Sequence, residues 1–296
     1  MSGSKKITYK KIEPYLFLLP AIAVILFVVG YPTVSNLYNS FFSWKLSDIA
    51  KPFNGAGNYI DILQNSDFIQ VLVNSIIWVV VGVFLQMVIG LLLASYVDEK
   101  KRLESLFRVI LLLPWIIPQM IVVVMWKWML QSDLGIVNYL TSWFLPPVSW
   151  LSNENISLLS CILVNTWKAY PFWFIMLLAG LKSLPQEQVE SARIDGASRW
   201  TIFLRIKIPH LIPVISATGI LTAIWTMNYA DLIFALTQGG PGNSTMILSV
   251  YSYMVGFKYY NFGQASALSI ISLVIMSLII VPYVLSSLKR LKEGGQ

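Results

Sequence analysis

Residues 71–97, VLVNSIIWVVVGVFLQMVIGLLLASYV, contain no Asp, Glu, Lys or Arg and are followed at once by Asp98, Glu99 and Lys100. A hydrocarbon core about 30 Å thick takes roughly 20 mainly apolar residues at about 1.5 Å per residue, so this run reads as a helix that crosses a membrane. Working outward, five more segments meet the same test: residues 15–37, 107–130, 157–181, 209–236 and 265–288. The sequence therefore predicts an all-α polytopic membrane protein with six transmembrane helices. Composition agrees, since 56% of the 296 residues are hydrophobic and only 12% are charged, against about 25% charged in soluble domains. No stretch of about 100 residues between the apolar runs is left to form a soluble domain, so function is membrane-embedded or lent by partners.

The net charge of +7 is read as topology, because cytoplasmic loops retain Lys and Arg preferentially; no nucleic acid is implied. Lys5, Lys6, Lys10 and Lys11 precede the first span without a small-residue cleavage signature, so that span is expected to be retained with the amino terminus cytoplasmic. With that orientation the inner segments hold Lys5, Lys6, Lys10, Lys11, Lys100, Lys101, Arg102, Arg108, Lys182, Arg193, Arg199, Arg205, Lys207, Lys289, Arg290 and Lys292, which is 16 of the 21 basic residues. Both termini are then cytoplasmic: a tail over 1–14, a membrane domain over 15–288, and a tail over 289–296. The outer loops are 36–70, 131–156 and 237–264. Pro114 and Pro118 are expected to break the third span, and Pro20, Pro171 and Pro282 to do the same elsewhere, because proline removes a backbone donor. A single cysteine, Cys161, and a single histidine, His210, leave no material for an internal disulfide or a Cys/His zinc site.

The longest inner loop, over residues 182–208, reads as two short helices and a turn. Ser183 and Gln186 form a candidate capping box, with Pro185 near the first helical positions. Asp195 and Gly196 suit the end of that helix, where a left-handed residue is cheapest as glycine. Ser198 is placed to cap a second helix that carries Trp200, Phe203 and Leu204 on one face and lies along the membrane until Pro209 opens span five. On charge alone the loop also fits a basic segment resting on lipid headgroups.

Glu190, Ser191 and Ala192, then Asp195, Gly196 and Ala197, then Ile208, Pro209 and Pro213 resemble the EAA loop of binding-protein-dependent ABC importer permeases, with Ser191 where that family commonly has alanine. Further stretches resemble the carbohydrate branch of these permeases, which serves oligosaccharide and glycerol-phosphate uptake: LFLLPAIAVILFVVGYPTVSNLYNSF, LLLPWIIPQMIVVVMWKWML with DLGIVN, WKAYPFWFIMLLAGLKSLP, and LTQGGPGNST at residues 236–245. The resemblance implies the type I importer permease fold and a maltose-type first permease that pairs with a second, homologous permease. It implies two ATP-binding subunits, an extracellular or periplasmic sugar-binding protein, and residence in the bacterial or archaeal cytoplasmic membrane. Glu190, Ser191, Ala192, Asp195, Gly196 and Ala197 would then dock on an ATPase subunit. The chain would be no enzyme and hold no cofactor, with ATP and Mg bound by the partner; the glycines at 239, 240 and 242 lack the following lysine of a phosphate-binding loop.

Eleven Trp, 14 Tyr and 15 Phe supply both an interfacial belt and faces on which sugars stack. Trp44, Trp128, Trp143 and Trp150 are read as belt or outer-loop residues. Trp225, Asn228, Tyr229 and Asp231 in span five are substrate-path candidates, Trp225 and Asn228 foremost, with Lys168, Trp167 and Tyr170 in span four. Lys168 falls near mid-membrane, where a charge usually faces protein or water. Lys168 and Asp231 are expected to pair with each other, to line a wet cavity, or, through Lys168, to bind an acidic substrate. Rival readings are a glycerol-phosphate or acidic-sugar importer and an ion-coupled secondary carrier. The carrier usually shows internal repeats.

Overall fold

The computed structural model describes residues 15–100, 104–144 and 146–293. Lys5, Lys6, Lys10, Lys11, Lys101 and Arg102 lie outside the described residues, as do the tail over 1–14 and the side chains of Lys289, Arg290 and Lys292. Among the described residues the fold is helical, with two isolated β-bridges, Phe42 with Phe53 and Lys45 with Asn261. In chain order the helices are α1 (Tyr15–Asn39), α2 (Gly57–Gln64), α3 (Ser66–Glu99), α4 (Glu104–Ile116), α5 (Gln119–Met129), α6 (Ile136–Thr141), α7 (Ser157–Lys182), α8 (Gln186–Ile194), α9 (Arg199–Asn228), α10 (Ala230–Thr237), α11 (Leu248–Phe257) and α12 (Phe262–Glu293). Among the described residues five of them, α1, α3, α7, α9 and α12, are long and apolar enough to cross a membrane, and α4 with α5, bent by 90° at their junction, brings the number to six if the pair counts as one span.

The chain divides into two compact units, one holding residues 15–64 with 252–274 and the other residues 65–251 with 275–293. In the first, α1 keeps Phe17, Val24 and Phe27 exposed, as expected of a helix solvated by lipid. Asn58 anchors its loop by donating to the carbonyls of Ser40 (2.8 Å) and Phe42 (2.9 Å). Ser266 of α12 donates to Asn36 of α1 at 3.2 Å.

The second unit is built around α7, the most buried of the long helices. Its core joins Ala94 and Val97 of α3 to Trp173, Phe174, Leu177, Leu178 and Leu181 of α7 and Leu211 of α9. The backbones of α3 and α7 come close at Gly90, where a Cβ would lie 2.6 Å from the Cβ of Trp173 and 2.9 Å from the Phe174 nitrogen. Small residues permit such approaches where lipid supplies no hydrophobic drive between helices. Residues 236–246 fold against the N-terminal parts of α3 and α7: Asn74 donates to the carbonyls of Asn243 (3.0 Å) and Met246 (3.2 Å), and the hydroxyls of Ser157 and Ser244 meet at 2.8 Å.

Proline has unequal effects. Helices run unbroken through Pro20, Pro171 and Pro282, contrary to expectation, because one missing donor costs one backbone bond while the bonds on either side persist. Pro114 and Pro118 do break their span: Ile117 makes the last helical bond, to the Leu113 carbonyl at 3.3 Å, and Pro118, extended at ψ 140°, starts α5. The fifth span also departs from expectation, for α9 ends at Asn228 and Tyr229, at φ −85° and ψ 66°, separates it from α10.

Candidate functional site

Two places in the second unit combine polar chemistry with exposure. The first is a cavity of about 740 Å³ where the break in the α4–α5 span and the break between α9 and α10 face α3 and α7. Its aromatic wall is a chain of three rings. Trp115 lies 6.1 Å from Phe172, and Phe172 lies 5.1 Å from Trp225, centroid to centroid. Tyr229 donates its hydroxyl to Gln119 Oε1, tying one broken span to the other. The Asn228 amide donates to the Ile224 carbonyl at 3.0 Å.

Lys168 is 8% exposed and donates to three carbonyls at the end of α4: Pro114 (3.1 Å), Trp115 (2.8 Å) and Ile117 (2.5 Å). Pro118 has no N–H to give the Pro114 carbonyl, and the extended turn after it carries Gln119 away from Trp115, so these acceptors need another donor. A lysine ammonium has three protons and no acceptor, which matches three orphan carbonyls at a helix C-terminus. Lys168 thus forms no pair with Asp231, correcting one of the sequence expectations. Asp231 sits exposed in the first turn of α10, where a carboxylate complements the helix dipole.

Of the seven substrate-path candidates, Lys168, Trp225, Asn228 and Tyr229 line the cavity, while Trp167, Tyr170 and Asp231 do not. Trp167 instead meets Trp126 edge to face at 5.6 Å. Sequence reasoning missed Gln86, Gln119, Asn165, Trp115 and Phe172, all on the lining. Gln86 carried a readable signal, as an amide deep inside an apolar run with no charge, twelve residues beyond Asn74.

The second place is the loop between α7 and α9. Its first helix ends as expected. Gly196 has φ +78°, the Ala197 N–H bonds the Ala192 carbonyl at 2.9 Å, and the Gly196 N–H bonds that of Arg193 at 3.1 Å. Ser198 caps the next helix by accepting from the Thr201 N–H at 3.1 Å. Two details differ. Ser183 does not cap α8; its hydroxyl donates to the Gly180 carbonyl at 2.8 Å and meets His210 Nε2 at 3.0 Å, while Pro185 precedes α8 without a side-chain cap. The second helix does not stop at Pro209 but continues as α9, because a widened π-helical turn over Phe203–Lys207, closed by the Ile208 N–H on the Phe203 carbonyl, absorbs the proline.

Ion pairs pin both ends of this loop. Lys182 pairs with Glu104 at 2.6 Å, Glu104 also takes Arg108 at 2.5 Å, and Lys207 pairs with Asp98 at 2.9 Å. Between these stems Ile194, Trp200 and Leu204 stand exposed, with Glu190, Ser191, Asp195 and Gly196 beside them and Ala192 and Ala197 half-buried. No atom outside its chain neighbours lies within 4 Å of a Cβ built at Gly196.

Residues 86–290 match the family described as "Binding-protein-dependent transport system inner membrane component". The chain belongs to this family of ABC transporter permeases. Over 273 residues it is 37% identical to a probable ABC transporter permease of Sinorhizobium fredii, covering 90% of this chain and 87% of that one. It is 32% identical to the trehalose/maltose transport system permease of Thermococcus litoralis, covering 92% and 93%. A solved bacterial alginate ABC transporter, in complex with its alginate pentasaccharide-bound periplasmic protein, contains a chain of the same fold at TM-score 0.79 and 24% identity, covering 92% of this permease and 94% of that chain. The permease is accordingly a multi-pass, non-catalytic transport subunit whose relatives include sugar permeases.

Proposed function

We propose that this permease forms half of the translocation path of an ATP-driven importer for oligosaccharide-class sugars. In this reading the chain crosses a bacterial or archaeal inner membrane six times with both termini on the cytoplasmic side, and residues 15–288 act as one permease domain. A second, homologous permease completes the path, and an extracellular or periplasmic binding protein delivers the sugar. ATP and Mg bind to two partner ATPase subunits. Trp225 and Asn228 meet the sugar in the cavity. Residues 182–208 couple the spans to ATP hydrolysis, with Glu190, Ser191, Ala192, Asp195, Gly196 and Ala197 at the contact.

The observation that carries this reading is the form of the loop. It presents the short helix α8 and the first turns of α9, the exposed apolar side chains of Ile194, Trp200 and Leu204, and a glycine with open space before it, on stems held by ion pairs. Exposed large apolar side chains grouped on one loop mark a contact surface, assigned in this reading to the ATPase partner. Surface ion pairs are worth about 0–1 kcal/mol each, so they position the loop more than they stabilise the fold. Gly196→Asp tests the reading. A side chain there meets no other atom of this chain, and aspartate is among the residues that adopt a positive φ, at a cost of roughly 1–2 kcal/mol, so the variant still inserts, while sugar uptake falls at least roughly tenfold because the carboxylate obstructs the partner. Normal uptake by a well-inserted variant would overturn the assignment, as would uptake driven by an ion gradient without ATP.

A further inference from the structure

Gln86 lines the cavity from α3, is 1% exposed, and has no hydrogen-bond partner for either Oε1 or Nε2. A primary amide buried with both ends unpaired is expensive, and such a group in a native fold calls for an explanation. Around it the cavity offers the Gln119 Nε2 donor, also buried and unpaired, and the rings of Trp115, Phe172 and Trp225. Among the described residues Lys168 is the one lining residue with a formal charge, and its three protons are engaged by the carbonyls of Pro114, Trp115 and Ile117. A carboxylate or phosphate only accepts hydrogen bonds and needs a cation to leave water, whereas a sugar hydroxyl both donates and accepts, as an amide does.

We infer that Gln86 is a specificity-determining residue of this cavity, reading a hydroxyl of an uncharged sugar with its amide, and that Lys168 holds the α4–α5 break without contacting substrate. This rests on the sugar-import reading above and narrows it to neutral sugars, in contrast to the acidic polysaccharide alginate of the structurally similar transporter.

The test is uptake of labelled maltose, trehalose, diacetylchitobiose and digalacturonate by cells that express the complete importer, compared with cells lacking this chain. Loss of uptake of at least one neutral sugar is expected on deletion. For that sugar, Gln86→Leu and Gln86→Met raise the half-saturating concentration roughly tenfold or more. They also abolish the wild-type preference for the sugar over its monodeoxy analogues, because an amide left unpaired is what rejects the analogue. If deletion affects none of the four sugars, the import reading falls and takes the inference with it. If a neutral sugar depends on the chain but both variants keep its half-saturation and deoxy discrimination, only the role of Gln86 falls. Disappearance of both variants from the membrane would place Gln86 in the core and sink the inference. Dependence of digalacturonate alone, with selective loss in Lys168→Met, would overturn the neutral-sugar assignment.

Discussion

Lys168 shows how a residue's role turns on what its charge faces. A lysine within a span invites an anionic ligand, yet here the ammonium completes the end of a broken helix through three carbonyls. Lys168→Met leaves those acceptors without a donor, at about 1–3 kcal/mol for buried polar groups. The apparent melting temperature of the detergent-solubilised protein should therefore fall. Uptake of neutral and anionic sugars should change by the same factor. A melting curve that does not move would remove the structural role.

At the scale of the element, the break between α4 and α5 belongs to Pro114 near the end of α4, Pro118 at the junction and Lys168 on α7. Pro118 withdraws the donor for the Pro114 carbonyl, and Lys168 replaces it. Pro118→Ala restores an N–H at that position, so Lys168→Met should cost less stability in the Pro118→Ala background than in the wild type. A double-mutant cycle read from melting measures this, with an expected coupling of about 0.5–2 kcal/mol for groups sharing one acceptor. Strict additivity would mean that the proline and the lysine act independently. The loop between α7 and α9 follows similar logic, since α8 is a short helix of 9 residues, so the end cap at Gly196, the Ser198 cap and the ion pairs at the stems set its shape.

For the whole molecule, orientation is the property to measure. Cys161 is fully buried, so the natural chain provides a background that thiol reagents do not label. Asn155 and Arg193 are exposed on opposite sides of α7, in the loops before and after it. A membrane-impermeant maleimide added to intact cells should label Asn155→Cys and spare Arg193→Cys, with both labelled after lysis. The reverse pattern would invert the topology inferred from basic residues.

The helical, membrane-spanning class was legible in residues 71–97 and the five runs like them, because lipid leaves a backbone no other partner than its own carbonyls and that constraint is written in composition. The turn at Gly196 was legible too, since a left-handed backbone position selects its residue locally. The cavity was not. Trp225, Asn228 and Tyr229 stood out as polar and aromatic residues in an apolar span, but Gln86, Gln119 and Phe172 join them only through contacts between helices far apart in the chain. Likewise no local rule tells Pro118, which breaks its helix, from Pro171, which does not. Local propensity and solvent therefore determined which segments became helices and where some of them end. Which breaks persist, and which side chains face one another across them, was decided by tertiary structure, because an orphan carbonyl or a buried amide is satisfied only by whatever another helix brings to it.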